Sequence, residues 1–211
     1  KDLDGDGQIT ENDRTVIGNT TPKFQGGFGL SGQWKNFDFT ANFNYMVDFD
    51  VYNATNYMLS SSISNTNNFY NVLADFTQKN RWTYVRADGE CLYKNTNIDG
   101  SVNEYITMNA GKSLWNPADV EDKVTHSYFV EDGSFLRLQD VTIGYTLPSN
   151  LTKKWGMSKV RFYASASNLF ILTGYSGYDP EVDVQSGLTP SMDYNRYPRS
   201  RSFVFGTNIT F

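Results

Sequence analysis

The sequence predicts an all-β chain: about five long antiparallel strands, the C-terminal strands of a larger transmembrane β-barrel, joined by long extracellular loops. Three observations carry that prediction. From Asn36 to Phe49 the chain alternates, with Phe37, Phe39, Ala41, Phe43, Tyr45, Val47 and Phe49 on one face. The other face holds Asn36, Asp38, Thr40, Asn42, Asn44, Met46 and Asp48, polar except for Met46. The last segment, Ser202 to Phe211, sets Phe203, Phe205, Ile209 and Phe211 against Ser202, Gly206, Asn208 and Thr210, with Val204 the exception. Finally, only five such segments are found, whereas single-chain bacterial barrels use even numbers from about eight upward, so these strands cannot close by themselves.

Composition excludes most other classes. Aromatic residues make up 16% of the 211 positions and charged residues 19%, the opposite of a disordered chain. Cys91 is the one cysteine and His126 the one histidine, which leaves neither a disulfide scaffold nor the ligands of a zinc centre. A formal net charge of -5 argues against a nucleic-acid partner. No run approaches the roughly 20 apolar residues of a membrane helix, so a membrane role falls to strands.

The elements follow in order. Residues 1–24 read as a loop that opens mid-protein on an acidic motif. The first strand runs from Gln25 to Trp34 with Phe28, Leu30 and Trp34 in phase, and Lys35-Asn36 is short enough to make a hairpin with the second. Fourteen residues at about 3.4 Å, tilted by about 40°, stand roughly 36 Å tall, enough for an apolar band of about 25 Å and both rims. Trp34 and Phe37 flank the turn where an aromatic girdle would sit. The third strand, Ser134 to Leu147, places Val141, Ile143, Tyr145 and Leu147 on one face, but Leu136 and Leu138 fall out of phase. A bulge near Gln139-Asp140 repairs that register, and Pro148 ends the strand. The fourth runs from Lys159 to about Leu172, with Val160, Phe162, Ala164 and Ala166 opposite Arg161, Tyr163, Ser165 and Ser167. The fifth is the terminal Ser202–Phe211 segment.

Connections alternate between short and long, as in barrels with short periplasmic turns and long external loops. That rule makes 1–24, 50–133 and 173–201 extracellular, and 25–49, 134–172 and 202–211 barrel strands. Within the longest loop Phe69, Val72, Leu73 and Phe76 have helical spacing, which predicts a short helix with Asn80 near its end.

Asp2-x-Asp4-x-Asp6-Gly7-Gln8, closed by Asp13 at the twelfth position, has the spacing of a calcium loop. Asp2, Asp4 and Asp6 supply carboxylates, Gly7 the sharp turn, Gln8 its carbonyl, and Asp13 closes the shell; hard oxygen donors suit Ca²⁺ in a structural role. Asp13 stands where glutamate would reach bidentately, and no helix precedes Asp2. Asp179, Glu181 and Asp183 form a second acidic group, read as structuring a loop or rim because spacing alone separates no general acid from a base. His126 and Cys91 have no catalytic partners at useful spacing, so the chain is not read as an enzyme. Of the many loop aromatics, Trp82, Trp115, Tyr175 and Tyr178 are the candidates for ligand or partner contact, since aromatic faces stack on sugar rings and anchor interfaces.

With these segments in view, the chain resembles the C-terminal region of SusC/RagA-type TonB-dependent transporters of the Bacteroidetes outer membrane. The resemblance runs through Asp2–Arg14, Ile17-Gly18, Pro22-Lys23-Phe24, Gly133–Leu138, Gly144–Pro148, Ser167–Phe170, Gly177–Glu181 and Tyr197–Arg201. Residues 50–130 match poorly apart from Arg81-Trp82-Thr83. It implies a barrel of about 22 strands around a plug, import of oligosaccharides or peptides, a SusD-like surface lipoprotein as lid, and TonB pulling through a segment outside this sequence. Outer-membrane lipid and the remainder of the barrel and plug are then its other partners. A soluble calcium-dependent β-rich domain for glycan binding or adhesion is the alternative reading; it accounts for the acidic loop and the aromatics but not for the long strand. A carbohydrate-active enzyme is a second.

Overall fold

The computed structural model describes residues 2–8, 10–60, 127–181 and 190–211. Between 71 and 125 it describes 71–77, 80–81, 84–85, 91–92, 101, 107–108, 114–115, 117 and 125. In chain order the strands are β1 (Phe24–Trp34), β2 (Phe37–Val47), β3 (Asp50–Asn53), β4 (Tyr84–Val85), β5 (Cys91–Leu92), β6 (Thr107–Met108), β7 (Val130–Asp132), β8 (Phe135–Thr146), β9 (Lys159–Thr173), β10 (Met192–Asp193) and β11 (Ser202–Thr210). Two short helices are α1 (Ala54–Leu59) and α2 (Ser149–Thr152). Residues 1–52 with 130–211 form one compact unit and 53–129 another.

The first unit is dominated by a five-stranded antiparallel sheet in the order β1-β2-β8-β9-β11. Its register explains the alternation. Phe28 lies opposite Phe43, Trp34 opposite Phe37, Phe39 opposite Ile143 and Phe205 opposite Ala164, so the apolar positions of all five strands share one face. Among the described residues nothing covers that face: Phe39, Ile143, Phe162 and Phe203 are all exposed, and Phe205 is 80% exposed. A soluble sheet would bury this face against a second layer.

The predicted bulge is present. Asp140 pairs with Asn42 but Leu138 with Phe43, which leaves Gln139 as the extra residue on β8. On the other side β9 skips Asn168 and Leu169 between the pairs Asp140–Ser167 and Leu138–Phe170, and Asn168 takes a φ of 54°. One inserted residue flips the phase of a period-2 strand, so Leu136 and Leu138 return to the apolar face and Arg137 turns to the polar one.

The second strand is shorter than the alternation predicts. β2 stops at Val47 because Asp48 adopts a left-handed conformation, φ 61°, and the chain turns into another sheet. Phe49 therefore leaves the apolar face and becomes a core residue, 5% exposed. Eleven residues at about 3.4 Å and a tilt of about 40° still give roughly 29 Å, above the apolar band of about 25 Å.

Above that break β3, β7 and β10 form a small sheet in the order β10-β3-β7. Phe49, Val51, Phe135 and Tyr175 make its core, with Met46 and Ile171 packed against it. The segments read from sequence as irregular loops thus supply short strands that build a base at the long-loop end of the main sheet.

In the unit 53–129, the Asn53 side chain caps α1 by accepting from the Asn56 N–H at 2.9 Å. The helix predicted over Phe69 to Phe76 is not formed among the described residues: 71–77 hold only a turn, and Phe69 lies outside them. Phe76 packs edge-on against Trp115 instead, with ring centroids 5.3 Å apart.

Candidate functional site

The polar face of the main sheet is lined by short side chains that hydrogen-bond to one another across strands. Thr142 and Ser165 hydroxyls lie 2.8 Å apart, and Ser167 donates to Asp140 at 2.9 Å. Nearer the short-turn end Arg161 on β9 grips Asp38 on β2 through both carboxylate oxygens, at 2.9 and 2.5 Å. The wall is thus hydrophilic, and these charges on it are paired.

At the long-loop end the same face carries a buried ionic network. Arg137, turned inward by the bulge, meets Asp179 at 2.5 Å, with both side chains about 5% exposed or less. Its Nε lies 3.3 Å from Glu181, which also pairs with Arg199 at 2.9 Å. Pro180, between the two acids, is fully buried. These carboxylates are held by arginines in a packed loop base, so Asp179 and Glu181 structure the loop; Asp183 lies outside the described residues.

The aromatic candidates separate. Tyr175 is 6% exposed and its hydroxyl donates to Asp193 at 2.8 Å. Burial, aided by the Asp193 carboxylate, pushes this phenol far above its usual range and keeps it a proton donor. It belongs to the core of the loop base and offers no face to a ligand. Trp115 sits among Phe76, Tyr128 and Phe129, and its indole N–H donates to the Ser60 carbonyl at 3.3 Å. Tyr178, at 79% exposed, stands free at the surface, while Trp82 and His126 lie outside the described residues.

The acidic loop folds on itself. Asp2 accepts from the N–H groups of Gly5 and Gly7 at 2.6 and 3.0 Å, and Asp13 from those of Leu3 and Thr10 at 2.6 and 2.7 Å. Gly5 and Gly7 both take a φ of 82°, a conformation that favours glycine. The Gly5 N–H, with that of Gly7, holds the Asp2 carboxyl below its usual value; Thr10, with Leu3, does the same for Asp13. One carboxylate oxygen each from Asp2, Asp4 and Asp13 lies within 4.8 Å of the others. Asp6 is not in that group and accepts instead from the Gln8 N–H at 2.7 Å. Three converging hard oxygens fit a divalent cation such as calcium, and Asp6 stands outside their cluster.

Sequence patterning did not single out Arg137, Arg161 or Gly144, over which the Arg161 guanidinium lies. Arg161 was legible as a polar-face position, but its partner lies two strands away, and Arg137 enters that face only through the bulge.

No family model matches the chain. The TonB-dependent receptor P3 of Formosa agariphila is 34% identical over 216 residues, covering 100% of this chain and 18% of the receptor. The TonB-dependent receptor SusC of Bacteroides thetaiotaomicron is 28% identical over 212 residues, covering 100% of this chain and 17% of SusC. Among solved structures, the RagAB peptide importer in its open-open state matches with a TM-score of 0.64 and 25% identity, over 97% of this chain and 19% of that one. Its closed-closed state, at 23% identity and a TM-score of 0.69, shares the fold. The chain spans less than a fifth of the length of the relatives it matches. Over its full length the chain is thus a homologue of TonB-dependent receptors, SusC among them, and shares the fold of the RagAB importer.

Proposed function

We propose that the chain is part of an outer-membrane importer of oligosaccharides or peptides, driven through TonB and working with a SusD-like surface lipoprotein. The observation that carries this reading is the five-stranded sheet whose uncovered face is apolar and whose other face is small and polar. Lipid is the medium that accepts the first face, and an aqueous, plugged interior the second. The strands β1, β2, β8, β9 and β11 then cross the membrane, while the loop base with Phe49 and the long connections 50–133 and 173–201, together with the segment before β1, lie at the cell surface. The mechanism is binding and gated passage, with no bond broken. Tyr178 and Trp82 are the aromatic contacts for substrate or lid.

Calcium bound by Asp2, Asp4 and Asp13 stiffens the surface loop in this reading. Calorimetry on the full-length receptor tests it: Asp4→Ala with Asp13→Ala abolishes a calcium-binding event, and an unchanged isotherm removes the site.

The importer reading is tested by deleting the gene and growing the strain on defined glycans and peptides. A specific growth defect on one polymer, restored by the gene in trans, is expected. A full-length protein that purifies without detergent as a monodisperse monomer would instead favour the soluble glycan-binding or adhesion domain.

A further inference from the structure

We propose that the short-turn end of the sheet binds the phosphate headgroups of anionic phospholipids in the leaflet it faces, an inference that rests on the membrane-spanning reading above. Two connections meet at this end, the Lys35-Asn36 turn and the segment from Leu147 to Ser158, since the Thr146 N–H donates to the Asn36 carbonyl at 2.8 Å. The chain as a whole is acidic, yet from Leu147 to Val160 it holds Lys153, Lys154 and Lys159 and no acid. These lysines and Lys35 are exposed. Asp38, the acid at this end of β2, is bound by Arg161. At the opposite end acids and bases are paired instead, Asp48 with Lys23 and Asp179 and Glu181 with Arg137 and Arg199.

Two tryptophans lie beside these cations. Trp34 is 68% exposed with the Lys35 ammonium 4.9 Å from its ring centroid, and Trp155 is 62% exposed. Tryptophan prefers the boundary between acyl chains and headgroups, and lysine stems extend from that depth into the headgroup layer. Trp34, opposite Phe37, lies at the end of the apolar face, and with Lys35 beside it the lysines of this end stand at headgroup level. The segment is also built to hold them there. Thr152 is fully buried, Gly156 closes the helical turn at a φ of 71°, and the Ser158 N–H and hydroxyl both donate to the Thr210 carbonyl, at 2.8 and 3.0 Å. Charge complementarity and continuity with the lipid-facing surface select an anionic headgroup over a neutral one.

The test uses the full-length receptor in detergent, with phosphatidylglycerol and phosphatidylcholine added in equal amounts and the retained lipids counted by native mass spectrometry. Wild-type protein retains phosphatidylglycerol preferentially. Lys153→Gln, Lys154→Gln and Lys159→Gln combined lower that preference roughly tenfold or more, the three Lys→Arg changes keep it, and Arg14→Gln at the far end leaves it unchanged. No preference in the wild type, an undiminished preference in the Gln variant, or an equal loss in Arg14→Gln overturns the proposal. Flotation with pure phosphatidylcholine vesicles separates the two levels: protein that fails to float defeats the membrane reading itself, whereas protein that floats without headgroup preference defeats only this inference.

Discussion

Arg161 reaches Asp38 across an intervening strand. The two residues sit on β9 and β2, with β8 between them, and the guanidinium lies over Gly144, where any Cβ would collide with it. A glycine in the third of five strands is therefore the condition for an ion pair between the second and fourth. Arg161→Met should cost about 1–2 kcal/mol, a bidentate charged pair discounted for its partial exposure. Gly144→Ala should cost a similar amount, and the double variant little more than either single one, because both remove the same contact. Urea unfolding of the full-length receptor in vesicles measures this; strict additivity would show that Gly144 acts elsewhere.

The Arg137–Asp179 pair should behave more severely. Both side chains are buried, so Asp179→Ala leaves Arg137 with only Glu181, at 3.3 Å, and should destabilise by about 3 kcal/mol. Arg137→Met with Asp179→Leu removes both charges and should be milder than Asp179→Ala alone. Denaturation midpoints of the three proteins give the order.

Opposite faces of β8 should tolerate charge very differently. Ile143→Lys places an ammonium on the exposed apolar face and should cost about 2–4 kcal/mol in a bilayer if it lies near the midplane. Thr142→Lys, one residue away, faces the polar side and should cost about 1 kcal/mol through its lost bond to Ser165. Equal costs in vesicle unfolding would contradict the assignment of the two faces.

The acidic loop should loosen in acid. Backbone N–H groups stabilise the ionised forms of Asp2 and Asp13 and lower both carboxyls in the folded chain. Their contribution is present above the unfolded carboxyl value near 4 and is lost as pH falls through the lower folded values. Hydrogen exchange of the Leu3, Gly5 and Thr10 amides, corrected for intrinsic rates, should show protection at pH 6 that is gone at about pH 2, and Asp13→Asn should remove much of that pH dependence at Leu3 and Thr10.

Period-2 patterning made the sheet readable because every strand presents one face to a single medium, so side-chain polarity records orientation residue by residue. Even the bulge was legible, as a phase error between Leu138 and Val141 that one extra residue corrects. The end of β2 was not. Phe49 continues the alternation perfectly, and only the left-handed turn at Asp48 and the cavity offered by Val51, Phe135 and Tyr175 remove it from the apolar face. Tyr175 likewise reads as a surface aromatic until Asp193 is brought to its hydroxyl from 18 residues away. The helical spacing around Phe76 did not give a helix over 71–77, where Phe76 packs against Trp115.

What the sequence determined by itself was local and periodic: which residues alternate, where the turns fall, how many long strands there are, and that their apolar face exceeds what the chain can cover. Tertiary structure decided the pairings between distant segments, Arg161 with Asp38, Arg137 with Asp179, and the loop base that encloses Phe49. The reason is physical. Strand polarity is set by a medium that each residue meets independently, whereas a buried ion pair or a packed ring depends on the position of a partner far along the chain.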